Sequence, residues 1–137
     1  MKTKFTSILK VRKLEVDKVE NQLQKLKNQL KQVQISLEEL KKELKNLTPP
    51  KNGNISQLKQ SFMINQSQYE AIKLKEQNIL FLEEQIKLTE QNYKKVMLEY
   101  EKIAHLNKEE QKKQFILIKK QQEKELDEIG TLLFSRK

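Results

Sequence analysis

One segment of this chain, Thr48-Pro49-Pro50-Lys51-Asn52-Gly53-Asn54, gathers almost every helix breaker the sequence contains. Pro49 disfavours helical geometry at Thr48, Pro50 removes a further backbone donor, and Gly53 admits positive φ. Asn54 or Ser56 is placed to cap a helix beyond it. No comparable break occurs elsewhere. A short loop between two long amphipathic segments predicts an antiparallel helical hairpin.

The first segment, about Phe5 to Leu47, has the three-four apolar alternation of a heptad. Leu9, Val16, Val19, Leu23, Leu26, Leu30, Val33, Leu37, Leu40, Leu44 and Leu47 fall on it. From Val16 onward every seam position is Val or Leu, and Arg12 is the polar interruption before it. A heptad sustained this long predicts a coiled coil. The second segment, about Ser56 to Gly130, is less regular. Its expected seam is Leu58, Phe62, Tyr69, Ile72, Ile79, Leu82, Ile86, Tyr93, Val96, Tyr100 and Ile103. Asn65, Glu76 and Thr89 interrupt that seam, and its phase slips between Ile79 and Leu82, which is expected to alter the supercoil locally.

At 1.5 Å per residue the first helix spans about 65 Å and the second about 110 Å. A fold at 48–54 places Phe5 near Tyr100 and leaves residues beyond about 103 without an intramolecular partner. Yet that stretch carries Leu106, Phe115, Ile116, Ile118, Leu126, Ile129, Leu132, Leu133 and Phe134. An unpaired apolar stripe in water calls for another protein to cover it. The expected fold class is therefore all-α: one coiled-coil domain over 1–137, with helices at about 5–47 and 56–130, a turn at 48–55 and a tail at 131–137.

Composition narrows the function. Charged residues are 34% of the chain and aromatics 6%, with no Trp, so a narrow seam is available but no thick core. Without Cys there is no disulfide, thiolate nucleophile or Cys-based metal site. No apolar run resembles a signal peptide or a bilayer span, so a soluble cytoplasmic protein is expected. The net charge of +9 comes almost wholly from Lys interspersed with Glu, the pattern of a solvated helix surface. Nucleic-acid readers concentrate Arg, and only Arg12 and Arg136 are Arg here. Nucleic acid is thus not the expected partner, although attraction to anionic lipid or an acidic partner stays open.

Catalytic signals are missing. His105 is the single histidine and has no pocket around it in a thin hairpin. Phosphate-cradling loops need glycines that this chain lacks. Glu38–Glu39, Glu83–Glu84 and Glu109–Glu110 read as solvated helix carboxylates. Neither an enzyme, a cofactor nor a small-molecule substrate is expected. More informative are the off-seam apolar residues of the second helix: Met63, Ile64, Leu74, Leu80, Phe81, Leu88 and Met97. They either broaden the intramolecular contact or form a second face for a partner. Val11, Leu14 and Ile35 are the fewer equivalents on the first helix.

The two ends resemble a known family. The opening Lys4-Phe5-Thr6-Ser7-Ile8-Leu9-Lys10-Val11-Arg12-Lys13, followed by Glu15, Asp17 and Glu20, is similar to the start of the flagellar export protein FliJ family. The stretch from Lys119 to Ile129 (KKQQEKELDEI) resembles that family's charged ending, although Gly130-Thr131 departs from its usual Ala-rich step. The resemblance implies a cytosolic, non-catalytic component of flagellar type III secretion, built like the central stalk of rotary ATPases. It implies three partners: an export ATPase hexamer, the cytosolic domain of the export gate membrane protein, and export chaperones. It also implies peripheral association with the inner membrane at the flagellar basal body. On this reading Phe5, Ile8, Arg12, Phe115, Ile118, Leu126 and Ile129 are the expected ATPase-ring surface. Met63, Tyr69, Leu74, Leu80 and Phe81 are the expected gate or chaperone surface. Two alternatives stand beside it: a scaffolding coiled coil that self-associates, and a Lys-rich binder of nucleic acid or membrane surfaces.

Overall fold

The computed structural model describes residues 2–47 and 53–135, and among them the chain is two helices that pack against each other with no strand. Helix α1 runs Thr6–Asn46 and α2 runs Ile55–Ser135. Most of the expected turn lies on residues 48–52, outside the described residues. At its edge, Asn54 Oδ1 accepts a hydrogen bond from the Gln57 backbone N–H at 2.9 Å, capping α2 as expected.

Contacts divide the chain into two compact units, and each helix contributes to both. The first is Met1–Asp17 with Lys94–Lys137. Its centre is Val16, the most completely covered side chain, only 1% exposed. Half-buried Val96, Tyr100 and Ile103 carry the facing side. Lys13 Nζ stands 5.6 Å from the centre of the Tyr100 ring. Arg12 takes a seam position yet stays out of the apolar layer by reaching two carboxylates, Glu15 at 3.1 Å and Glu99 at 3.5 Å. The chain start is pinned by Thr3, whose hydroxyl donates to Asn107 Oδ1. Tyr100 therefore sits beside Lys13, and the pairing reaches Asn107. The expectation that Phe5 stands opposite Tyr100 is corrected by about two helical turns.

The second unit, Lys18–Tyr93, holds most of the seam. Val19, Leu37 and Leu82 are buried in it. Its α1 side is the Val/Leu heptad read from the sequence. Its α2 side is different from the one expected. Ser61, Asn65, Gln68, Ile72, Lys75, Ile79, Leu82, Ile86, Thr89 and Tyr93 are covered or half-covered in an unbroken three-four series, with half-covered Ala71 and Gln85 beside it. Leu58, Phe62 and Tyr69 are exposed, Phe62 at 68% and Tyr69 at 63%. No phase slip occurs between Ile79 and Leu82. The slip was the product of reading Phe62 and Tyr69 as seam residues, when each lies one residue past the true positions, Ser61 and Gln68. One flank of this unit carries charge, as in the Lys27–Glu90 pair at 4.0 Å. Such exposed pairs contribute little to stability.

The end of α2 also departs from expectation. The helix continues through Gly130 to Ser135, so residues 131–135 are helical rather than a tail. Gly130 has helical φ and open space where a Cβ would stand. Among the described residues no helix is long and apolar enough to cross a membrane, and no cluster of metal-ligating side chains occurs.

Candidate functional site

The structure offers surfaces rather than a pocket, and helical periodicity decides which residues share one. In the first unit every residue from Phe115 to Ser135 is exposed. If the coiled-coil seam continued, it would use Leu117, Gln121, Lys124, Glu128 and Thr131, four of them polar. Five of the nine apolar residues here instead follow Phe115, Ile118, Leu126, Ile129 and Leu133, with Gln122 filling the gap, while Ile116, Leu117, Leu132 and Phe134 lie off that series. This series repeats every eleven residues (115 to 126, 118 to 129, 122 to 133), a period that favours straight or right-handed packing over the left-handed coil preceding it. The spacing shows that this stretch is no continuation of the hairpin seam. It is a separate stripe with its own geometry. Four of the seven residues expected at the ring surface fall on this one stripe; Phe115 is 60% exposed. Leu133 belongs to it as well, and its eleven-residue relation to Gln122 is the signal that finds it.

The other three expected ring residues lie on the first turns of α1. Phe5 is half-buried beneath the Lys4 ammonium, which stands 5.3 Å from its ring centre. Ile8 is exposed at 46%. Arg12 is engaged within the chain by Glu15 and Glu99. A shallow groove close by is lined by Leu9, Lys10, Lys13, Leu14 and Tyr100. Leu14, strongly exposed, extends the apolar surface of this end beyond the residues anticipated.

The second expected surface does not form a single face. Leu74 and Phe81 are seven residues apart on one row of α2, and Leu88 continues that row. Tyr69 lies on the opposite flank, in line with Phe62. Met63 precedes Leu74 by eleven residues and Phe81 by eighteen, which places it on nearly the same face, and Leu80 follows Tyr69 by eleven. All five are exposed, so each is available. Leu88, one of the off-seam apolar residues, shares the spacing of Leu74 and Phe81 and lies outside the expected surface. His105 makes a contact of 3.2 Å with Glu109 one turn on, at an exposed position.

These rows can hold apolar helix faces of other proteins. Their chemistry is packing and exclusion of water, with Lys, Glu and Gln around them to keep the uncovered chain in solution. No curated protein and no solved structure matches the chain. A family model described as flagellar FliJ protein matches residues 1–137, its whole length. With that match running from end to end of an all-α hairpin, the chain belongs to the flagellar FliJ protein family, whose members are non-catalytic components of flagellar export.

Proposed function

We propose that this protein is a stalk-like coiled coil that binds the export ATPase ring, couples it to the cytosolic domain of the export gate, and meets export chaperones along α2. It works at the cytoplasmic side of the inner membrane, at the flagellar basal body, without hydrolysing ATP. The observation that carries the reading is the eleven-residue stripe Phe115, Ile118, Leu126, Ile129. It is apolar and exposed, and it does not continue the seam that holds the hairpin. A stripe of that kind on an otherwise highly charged helix marks an interface. Phe5 and Ile8, in the same compact unit, add apolar surface to that end. Leu74 and Phe81 belong to the other unit and supply the separate row for gate or chaperone.

The test is stimulation of a purified cognate export ATPase. The intact chain is expected to raise its turnover and the Ile118→Asp/Ile129→Asp chain to leave it unchanged, whereas Leu74→Asp/Phe81→Asp keeps the stimulation and weakens gate binding. Stimulation undiminished by Ile118→Asp/Ile129→Asp would overturn the assignment of the stripe. If that double variant instead converted a dimer of the intact chain into a monomer, with the ATPase unaffected, the stripe would be a self-association surface.

A further inference from the structure

The apolar stripe at the end of α2 is symmetric about Gln122. Ile118 and Leu126 stand four residues from it on either side, and Phe115 and Ile129 stand seven. On the continuous helix Phe115 and Leu126 lie about 20–40° to one side of Gln122, and Ile118 and Ile129 lie as far to the other. All four are exposed. A row with this symmetry fits a second copy of itself running the opposite way. Phe115 then meets the partner's Ile129, and Ile118 meets the partner's Leu126. The two Gln122 side chains meet on the two-fold axis, where each amide can both donate and accept.

Charge follows the same symmetry with its sign reversed. Residues 111–121 carry Lys112, Lys113, Lys119 and Lys120 and no acidic residue. Residues 123–133 carry Glu123, Glu125, Asp127 and Glu128 against Lys124. A parallel pair would set like charges side by side, whereas an antiparallel pair lays each basic half along an acidic one. One contact is specific. Lys119 and Glu123 both flank the stripe on the side of Phe115 and Leu126. A two-fold contact is isologous, and between antiparallel helices it sets each flank against the same flank of the partner. Lys119 therefore falls within about 3 Å of level with the partner's Glu123, and the pair occurs twice.

We propose that residues 115–129 of α2 form an antiparallel contact with a second copy of this chain, centred on Gln122. The contact is about 21 Å long. It falls below the size of a stable interface, so the dimer is expected to be weak, with a Kd on the order of 100 µM. At low micromolar concentration the chain is then monomeric and the stripe is bare. The dimer stands on the pattern of the stripe alone. Its competition with the ATPase ring for the same residues rests on the ring reading, and in that case the dimer shields the stripe of chains not engaged at the ring.

The native chain has no Cys, so introduced cysteines report alone. Full-length chains carrying Phe115→Cys, Gln122→Cys or Ile129→Cys are oxidised in a glutathione buffer at about 100 µM, near the expected Kd. Gln122→Cys is expected to give about tenfold more disulfide-linked dimer than either other variant alone, because only the residue on the two-fold axis meets itself. Mixed Phe115→Cys and Ile129→Cys chains are expected to cross-link about tenfold more than each does by itself. Adding Ile118→Asp to Gln122→Cys is expected to cut its yield about tenfold. Sedimentation equilibrium tests the charges without any cysteine. Lys119→Glu and Glu123→Lys are each expected to weaken association about three- to tenfold, and Lys119→Glu/Glu123→Lys to restore it. Equal cross-linking at all three positions would mean a parallel pair, and a Gln122→Cys yield indifferent to Ile118→Asp would mean random collision; either overturns the proposal. So would a native chain that sediments as a monomer at about 500 µM, several times the expected Kd, and that result would leave the ring assignment standing.

Discussion

Replacing Gln68 with Leu is expected to stabilise the hairpin. In the structure Gln68 Oε1 is buried without a partner, level with Leu44 in a seam whose α1 side is wholly Val and Leu. Removing an unsatisfied buried acceptor relieves about 1–3 kcal/mol. Gln68 is only half-buried overall, which argues for the lower part of that range. Partial cover of the new Leu adds on the order of 1 kcal/mol. Loss of the Gln hydration available in the unfolded chain is already contained in the first figure. A net gain of about 1–2 kcal/mol follows, and for a chain of this size it raises Tm by about 4–8 °C. The assay is a circular dichroism melt followed at the helix band. Tyr69→Gln is the internal control: Tyr69 is exposed in the observed register, so its loss should move Tm by less than about 2 °C. An unchanged or lowered midpoint for Gln68→Leu, or a collapse on Tyr69→Gln, would show that α2 is set against α1 in the other phase.

Further outcomes follow from the same structure. Val16→Asp places a lone carboxylate at the most covered position and is expected to cost about 3–5 kcal/mol, read as a lower midpoint in urea. Backbone amides of residues 115–135 should exchange with solvent faster than those of 72–103, because no described residue of the last stretch is covered; uniform protection would mean that self-association covers it. Gly130→Ala fills open space at a helical φ and is expected to slow amide exchange over residues 126–135 about two- to fivefold, corresponding to roughly 0.5–1 kcal/mol. A purified preparation should show no ATP hydrolysis of its own when assayed without the ATPase.

The α1 seam was legible from Val16 to Leu44, because every layer there is apolar and no second phase competes; Leu47, also expected in it, lies past the end of α1 and is exposed. Near the bend, α2 was misread for a physical reason. Given Phe62 and Tyr69 beside Ser61 and Gln68, apolarity favours the first pair, but Leu82, Ile86, Tyr93 and Val96 fix the phase of the long helix and carry the polar pair inward. The invented slip at Ile79–Leu82 was the trace of that conflict. The expected end of α2 at about Gly130 falls short, because the helix runs on through that residue to Ser135. Glycine ends a helix when its positive φ is used, and here it is not. Of the interaction residues, Phe115, Ile118, Leu126 and Ile129 could be named from apolarity alone, yet their eleven-residue period became meaningful only once the hairpin seam was known to run in a different phase. Met63, Tyr69, Leu74, Leu80 and Phe81 group as one surface by apolarity, but helical spacing separates Tyr69 and Leu80 from Met63, Leu74 and Phe81.

The central claim is that the exposed stripe at the end of α2 engages the export ATPase. A chain ending at Gln114 keeps the Thr3–Asn107 contact and both sides of the seam, so circular dichroism should show a folded hairpin. The most direct measurement is the affinity of this truncated chain for the assembled ATPase hexamer, by sedimentation or calorimetry, beside that of the full-length chain. Truncation is expected to abolish binding to the ring while leaving binding to the gate domain intact. Full affinity for the ring after truncation would contradict it and move the ATPase contact to the flank of the hairpin.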